Sequence, residues 1–258
     1  MQAGFAQAVI TPALDRPVYL AGFGNNRRAE SVHDALTVRA LALQTETTTL
    51  ALVALDLIGF FRRDVYDVIR EVQATHPQTQ VLIASTHTHH GPDTLGLWGP
   101  NAGTRGVDEA WLVVTKATIA TTIQTALGGL EPVTAAWAEA HVPRWVKNAR
   151  DPEIVDATLT VLQLTRVDGR VLATLFNYPC HPEVLWEHNP HITADYVHAL
   201  RDETLRRTGA PAVFFAGALG GMLTPDVKDH AFAESEAMGA ALAQAGLAAL
   251  APVGGVRD

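Results

Sequence analysis

Residues 81–92 read Val-Leu-Ile-Ala-Ser-Thr-His-Thr-His-His-Gly-Pro, a short apolar run that passes directly into a histidine-rich segment. The run predicts a buried strand. In an extended chain alternate side chains share a face, so His87 and His89 would project the same way, about 7 Å apart. Two neutral imidazoles can bind one divalent metal ion, and open α/β sheets place their ligands at the carboxyl ends of strands. The stretch therefore predicts a metal or catalytic site. The alternative is a pair of surface or capping histidines on an ordinary loop.

The composition is that of a globular protein. The length of 258 residues is enough for one large α/β domain or two small ones, and 48% of the residues are hydrophobic, which is enough to form a core. We predict a single compact domain over residues 1–258. The formal net charge is −8 and there is no block of lysine or arginine, so nucleic acid is not an expected partner.

Cysteine usage and the amino terminus bear on the compartment. Cys180 is the one cysteine, which excludes an internal disulfide framework and a cysteine-based zinc ribbon. The first residues lack the basic and apolar regions of a secretory signal, and no apolar run approaches the ~20 residues that span a bilayer. We therefore expect a cytoplasmic chain without a transmembrane segment. The sequence leaves the oligomeric state open.

Periodicity predicts a mixed α/β fold. Helical spacing and caps predict helices near 61–74, from an Asp108 cap to about Leu127, near 195–207 and at 230–250. β-rich runs predict strands near 3–10, 37–45, 48–56, 79–85, 133–141, 157–165, 170–177 and 212–216. Hairpins occur among the βα units, which predicts one or more mixed sheets layered with helices rather than a purely doubly wound fold. Long loops that usually carry function are expected at 11–35, 86–107, 142–153, 178–194 and 217–229.

A second histidine-rich segment also follows a strand. His181 lies just past the apolar run 171–176, and His188, His191 and His198 come after it. A catalytic zinc ion takes about three protein ligands and keeps a position for water, so two strand ends that carry histidine into long loops fit one shared site. His87 and His181 are the preferred ligands. The other three histidines are read as solvated loop residues.

Charged residues near these segments are candidates to complete the site. Asp56 ends a buried strand and needs a metal, a histidine or an arginine as partner, because buried aspartate is rare when unpaired. Asp195 begins a helix, as a cap or as a site residue. Both are possible ligands, or groups that orient ligands. Arg150 could bind a carbonyl or carboxylate oxygen, with Asp151 as its alternative partner.

Nucleophilic side-chain chemistry is poorly supported. Only three serines occur, and none lies in a Gly-x-Ser-x-Gly elbow. Cys180 directly precedes His181, so their side chains diverge in an extended chain. Metal-activated water is the better nucleophile.

The ordered blocks together resemble the neutral/alkaline, non-lysosomal ceramidase family. The most specific block is Thr-His-Thr-His at 86–89. The others are Gly4 to Pro12, Leu20 to Gly24, His33 to Leu36 with Arg39-Ala40, Asp56, Asn177 to Glu183, Thr193 to Tyr196 and Gly217 to Pro225. The resemblance spans nearly all of this chain and the amino-terminal catalytic part of the family. It implies a zinc-dependent amidohydrolase that cleaves an N-acyl linkage, with one Zn²⁺ per chain.

The resemblance also assigns roles to residues. It implies that His87 and His181 bind zinc, that His89 touches the substrate or the water at the zinc, and that Arg150 contacts the substrate. The Asn148-Ala149-Arg150 spacing departs from the family's Asn-Arg element by one residue. The family's further ligands, a glutamate and a tyrosine, match nothing here, and Gly217-Ala218 replaces its Ser-Asn.

The sequence therefore predicts a zinc-dependent hydrolase acting on an N-acyl bond of a small-molecule or lipid-like substrate. One alternative is a ceramidase-like domain that binds a ligand without turnover. Another is an interaction module or a fragment of a longer enzyme.

Overall fold

A computed structural model describes residues 1–250 of the chain. The fold is the predicted mixed α/β class, with a large mixed sheet and four α-helices among these residues. In chain order the elements are β1 (Gln2–Val9), β2 (Ser31–Val32), β3 (Thr37–Gln44), β4 (Thr49–Leu55), α1 (Arg62–Thr75), β5 (Thr79–Ser85), α2 (Glu109–Gly128), β6 (Glu131–His141), β7 (Val146–Asn148), β8 (Thr158–Arg166), β9 (Val171–Tyr178), β10 (His191–Ile192), α3 (Tyr196–Thr208), β11 (Ala212–Ala216), β12 (Leu223–Pro225) and α4 (Phe232–Leu250). No helix in this part of the chain is both long and apolar enough to cross a bilayer.

The chain divides into two compact units. The first comprises Met1–Pro132 and Leu185–Asp195, and the second comprises Val133–Val184 and Tyr196–Asp258, described to residue 250. A single domain over residues 1–258 stays a prediction.

The sheet of the first unit has the strand order β1-β3-β4-β5. β1 and β3 are antiparallel, as are β3 and β4, whereas β4 and β5 are parallel and joined by α1. The antiparallel partner on the other side of β1 is the first two residues of β6, Glu131 and Pro132. Helix α2 begins where expected, because the Asp108 carboxylate accepts a hydrogen bond of 3.0 Å from the Trp111 N–H.

The second unit is built on an antiparallel β6-β8-β9 meander, to which β11 adds as a parallel neighbour of β9. The hairpin between β8 and β9 turns at Gly169, whose φ of +84° favours a residue without a β-carbon. Helices α3 and α4 pack closely against each other, because Gly239 of α4 lets the carbonyl of Tyr196 approach its α-carbon.

The predicted strands and helices are all present, within a few residues of the expected bounds. The predicted loops contain four strands of two or three residues that the sequence did not reveal: β2, β7, β10 and β12. β10 pairs with β2 and β12 pairs with β7. Segments this short are below the length at which alternation can be recognised.

Candidate metal centre

The parallel pairing of β4 and β5 brings two polar segments to the same edge of the sheet. Leu55 and Ser85, the last residues of the two strands, are in register. The pairing continues past the strand ends through the Thr86 N–H to the Leu55 carbonyl at 2.7 Å and the His87 N–H to the Leu57 carbonyl at 3.0 Å. His87 is therefore fixed by main-chain hydrogen bonds just beyond a buried strand.

The conformation of this segment differs from the expectation of an extended strand through His89. β5 ends at Ser85, and His87 has a left-handed backbone with φ +71°. The rings of His87 and His89 nevertheless lie together, with centroids 5.2 Å apart and planes inclined by 76°. A sharp turn, rather than the pleat of a strand, brings the two imidazoles to one place.

The hydrogen bond of the His87 ring fixes its tautomer. Its Nδ1 lies 2.5 Å from the Ile58 carbonyl oxygen. A carbonyl only accepts, so Nδ1 carries the proton and Nε2 is the unprotonated nitrogen. Histidine ligands of metals are commonly oriented in this way, by a donated N–H on the far side of the ring.

His181 repeats this arrangement in a different part of the chain. It follows β9 by three residues and is buried, with 5% of its surface exposed. Its Nδ1 lies 2.6 Å from the Leu223 carbonyl, so Nε2 is again the unprotonated nitrogen. Burial lowers the pKa of His181, against an opposing effect of the Leu223 hydrogen bond. The ring is therefore neutral near pH 7, the state in which imidazole binds metals.

Three histidines are placed to bind a metal ion. His87, His89 and His181 each offer one ligand nitrogen, and the three nitrogens lie within 4.8 Å of one another. Two of them, His87 and His181, are the predicted zinc ligands. The third, His89, was predicted to touch the substrate or the water at the metal.

Two residues of the 22–23 loop pack against the His89 ring. A β-carbon at Gly22, whose φ is +82°, would lie 2.7 Å from Cγ and Nδ1 of His89. The centre of the Phe23 ring lies 5.0 Å from the centre of the His89 ring, which it contacts edge-on. The centre of the tilted Trp186 ring is also 5.0 Å from that of Phe23. Phe23, His87 and Trp186 all have left-handed backbones, a conformation that costs on the order of 1–3 kcal/mol and often marks functional sites.

Arg27 is a central residue of this region that the sequence did not reveal. All five N–H groups of its guanidinium form hydrogen bonds. Four donate to the carbonyls of Ala21 (2.9 Å), Glu187 (2.9 Å), His89 (3.1 Å) and Asn189 (3.4 Å), and the fifth donates to the His90 ring (3.3 Å). The guanidinium carbon also lies 5.0 Å from the centre of the Phe23 ring. Burial lowers the pKa of Arg27 to about 10, partly opposed by Glu187, so it is charged at neutral pH.

The two aspartates predicted to help the site lie outside the three-histidine group in the described part of the chain. Asp56 is fully buried and accepts hydrogen bonds of 2.8 Å from the N–H and the hydroxyl of Thr37, which joins the end of β4 to the start of β3. Asp195 has its Oδ2 3.5 Å from Nε2 of His90 and accepts from the Leu185 N–H at 3.2 Å. Both side chains bind main-chain N–H groups in segments close to the histidines. That they bind the metal or orient its ligands stays a prediction.

Arg150 lies on the turn after β7, and its side chain is exposed. Its main-chain N–H donates to Asn148 Oδ1 at 2.9 Å. Its predicted contact with a substrate stays a prediction.

The remaining predicted loop histidines have other partners. His188 is 90% exposed, with Glu187 at 3.6 Å. His191 shares a 2.7 Å hydrogen bond with Ser31, and His198 lies 3.4 Å from Asp202. None belongs to the group of ligand nitrogens found among residues 1–250.

One further buried carboxylate organises the loop after the histidines. Asp93 is fully buried and accepts hydrogen bonds from five main-chain N–H groups, those of residues 95–98 and 106. Its position directly after Gly91-Pro92 is the only trace of this role in the sequence.

Comparison with known proteins places the fold. No protein-family model matches the sequence, and no curated protein matches it either. Among solved structures, the chain is similar to neutral ceramidase from Pseudomonas aeruginosa, with a TM-score of 0.82 and 18% identity over 96% of this chain and 44% of that one. A structure described as ceramidase complexed with C2 gives the same TM-score and identity, over 96% of this chain and 43% of that one.

The fold is thus of the mixed α/β class with a histidine cluster beyond the strand ends. In particular it is the neutral ceramidase fold, which confirms the resemblance predicted from the sequence blocks. The chain spans less than half the length of the ceramidase structures that it matches.

Proposed function

We propose that this chain is a zinc-dependent hydrolase of an N-acyl amide bond, with Zn²⁺ bound by His87, His89 and His181. The observation that carries the proposal is the convergence of three imidazole nitrogens within 4.8 Å. The ceramidase-like fold supports the substrate class, an N-acyl compound with a lipid-like or smaller acyl group.

The residues fit a zinc ion by the chemistry of their donors. Imidazole is a preferred zinc ligand, and three protein ligands leave a position for water or substrate. The carbonyls of Ile58 and Leu223 hold the Nδ1 protons of His87 and His181, so that both rings present Nε2. When bound, the ion would polarise a carbonyl and acidify a water molecule.

The chain's own residues divide the remaining work. His87 and His181, fixed by carbonyls, hold the ion. We assign His89 as the third ligand; the alternative is that His89 touches the water at the metal, as the resemblance implies, and transfers a proton. Arg150 is proposed to contact the carbonyl oxygen of the substrate through its exposed guanidinium.

The two roles of His89 predict different results. If His89 is a ligand, His89→Ala loses bound zinc as His87→Ala does. If it transfers a proton, His89→Ala keeps stoichiometric zinc and loses kcat.

The test of the function combines metal analysis with hydrolysis. The full chain is purified without added metal, its zinc content is measured, and it is assayed on a series from N-acyl amino acids to N-acylsphingosine. We expect about one zinc per chain, and we expect His87→Ala and His181→Ala to lose more than the ~10–100-fold in metal affinity that outer-sphere changes cost. His188→Ala, which removes an exposed histidine, is the matched control. A wild-type chain that binds no metal and hydrolyses no member of the series would refute the proposal.

A second candidate is a ceramidase-like domain that binds its ligand without turnover. It is favoured by Gly217-Ala218, which stands where the ceramidase family has Ser-Asn. It predicts saturable binding of N-acyl compounds, measured by calorimetry, together with zero turnover in the presence of zinc.

A further inference from the structure

The His89 ring packs against two residues of the 21–27 loop. Around His89 the structure shows the backbone of Gly22 and the edge-on ring of Phe23. The orientation of this third imidazole therefore depends on how the 21–27 loop is held.

Arg27 holds that loop and the histidine segment together. One nitrogen of its guanidinium, Nη1, donates both to the Ala21 carbonyl at 2.9 Å and to the His89 carbonyl at 3.1 Å. The same group lies 5.0 Å from the centre of the Phe23 ring, which is 5.0 Å from the His89 ring. Arg27 thus acts on His89 by two routes, through its main chain and through the aromatic ring that packs against it.

Arg27 also sets the neighbouring histidine. Its Nη2 lies 3.3 Å from Nδ1 of His90, and because arginine only donates, this Nδ1 accepts and the proton is on Nε2. Nε2 in turn faces Asp195 Oδ2 at 3.5 Å. A chain of contacts from Arg27 through His90 to Asp195 therefore fixes the residue next to His89.

We propose that Arg27 is a positioning residue of the histidine site, which orients the His89 imidazole toward the ion through its hydrogen bonds to the carbonyls of Ala21 and His89 and its contact with Phe23. The role rests on the proposed metal site. It needs the planar fork of arginine, because the guanidinium directs five N–H groups outward in one plane to separate acceptors, whereas lysine has three donors at one point.

The experiment compares Arg27→Met, Arg27→Lys and the control Arg28→Met, which removes the adjacent, exposed arginine. Each full-length chain is stripped with chelator and titrated with Co²⁺ at pH 7.5, and the visible absorption spectrum and the dissociation constant are recorded. Thermal unfolding of the metal-free proteins is measured in parallel. We expect Arg27→Met to weaken Co²⁺ binding by about 10–100-fold and to change the band positions, with Arg27→Lys between it and wild type and Arg28→Met unchanged.

The outcomes separate the two proposals. A wild-type chain that takes up no Co²⁺ overturns the metal site and this role with it. If the wild type binds Co²⁺ and Arg27→Met binds it with the same dissociation constant and the same spectrum, the role of Arg27 alone is overturned, whatever the change in unfolding temperature. If Arg27→Met does not fold, Phe23→Leu takes its place, since it removes the ring and keeps the arginine. An unchanged spectrum in Phe23→Leu then counts against the proposal, and a shifted one supports it.

Discussion

Replacing Gly22 with alanine tests whether the His89 ring belongs to the metal site. The added β-carbon would lie 2.7 Å from Cγ and Nδ1 of the ring, whereas ordinary contact begins at 3.4 Å. The ring must therefore move by roughly 0.7 Å, which exceeds the ±0.2 Å or so by which metal–ligand distances vary. We expect Gly22→Ala to weaken zinc binding by about 10–100-fold.

The left-handed backbone of Gly22 requires a matched control. Alanine at a φ of +82° is strained by about 1–2 kcal/mol, whatever it touches. Gly103 has a φ of +89° and no atom within 4 Å of an added β-carbon, so Gly103→Ala introduces the same backbone strain without a clash. Gly24→Ala, also without neighbours and outside the left-handed region, controls for the side chain alone.

The assay is competition for Zn²⁺ with a chromophoric chelator, together with urea unfolding of the metal-free proteins. The expected pattern is a loss of stability in both variants, larger in Gly22→Ala because of the clash with the His89 ring, but a loss of zinc affinity only in Gly22→Ala. Equal zinc affinity in the two variants would contradict the reasoning, because a displaced His89 ring would then leave the ion unaffected.

Three further changes probe other parts of the structure. Asp93→Ala should lower the free energy of unfolding in urea by at least about 2 kcal/mol, because five main-chain N–H groups lose a charged acceptor. Asp93→Asn keeps an acceptor oxygen and should lower this free energy less. Equal stabilities of the two variants would contradict this reasoning. Burial lowers the pKa of His90 below 6.5, against an opposing effect of Asp195, so its contribution to stability is full above pH 6.5 and is lost as the pH falls. Between pH 7.5 and 5.5 the metal-free wild type should lose up to about 1.4 kcal/mol more than His90→Gln, and parallel pH profiles would rule this out. Gly239→Ala should cost about 1–3 kcal/mol, since its β-carbon would lie 2.3 Å from a carbonyl of α3, while Gly220→Ala, with no atom within 4 Å, should stay within about 0.5 kcal/mol of wild type.

The elements and two of the three histidines could be predicted because their signals are local. The run Val81–Ala84 predicts β5 by itself, and the position of His87 just past it places the side chain at the edge of the sheet. The same logic applied to His181 beyond β9, and the structure has both residues in the group of ligand nitrogens. A histidine directly after a clearly predicted strand can therefore be placed at the edge of the sheet from the local sequence alone.

Arg27 could not be predicted, because its partners leave no trace in the sequence. Four of its five hydrogen bonds are to main-chain carbonyls, and those of His89 and Glu187 lie 62 and 160 positions away. Every residue has a carbonyl, so no residue type at those positions marks the contact. Arg27 stands beside Arg28 in a polar loop, and only the fold distinguishes the half-buried arginine from the exposed one.

The tautomers of two of the histidines suit the binding of a cation. The carbonyls of Ile58 and Leu223 accept hydrogen bonds from the Nδ1–H groups of His87 and His181, so both rings present the unprotonated Nε2. This is the state in which imidazole binds a metal ion. One nitrogen each of His87, His89 and His181 lies within 4.8 Å of the others, so a single divalent ion can be shared among the three rings.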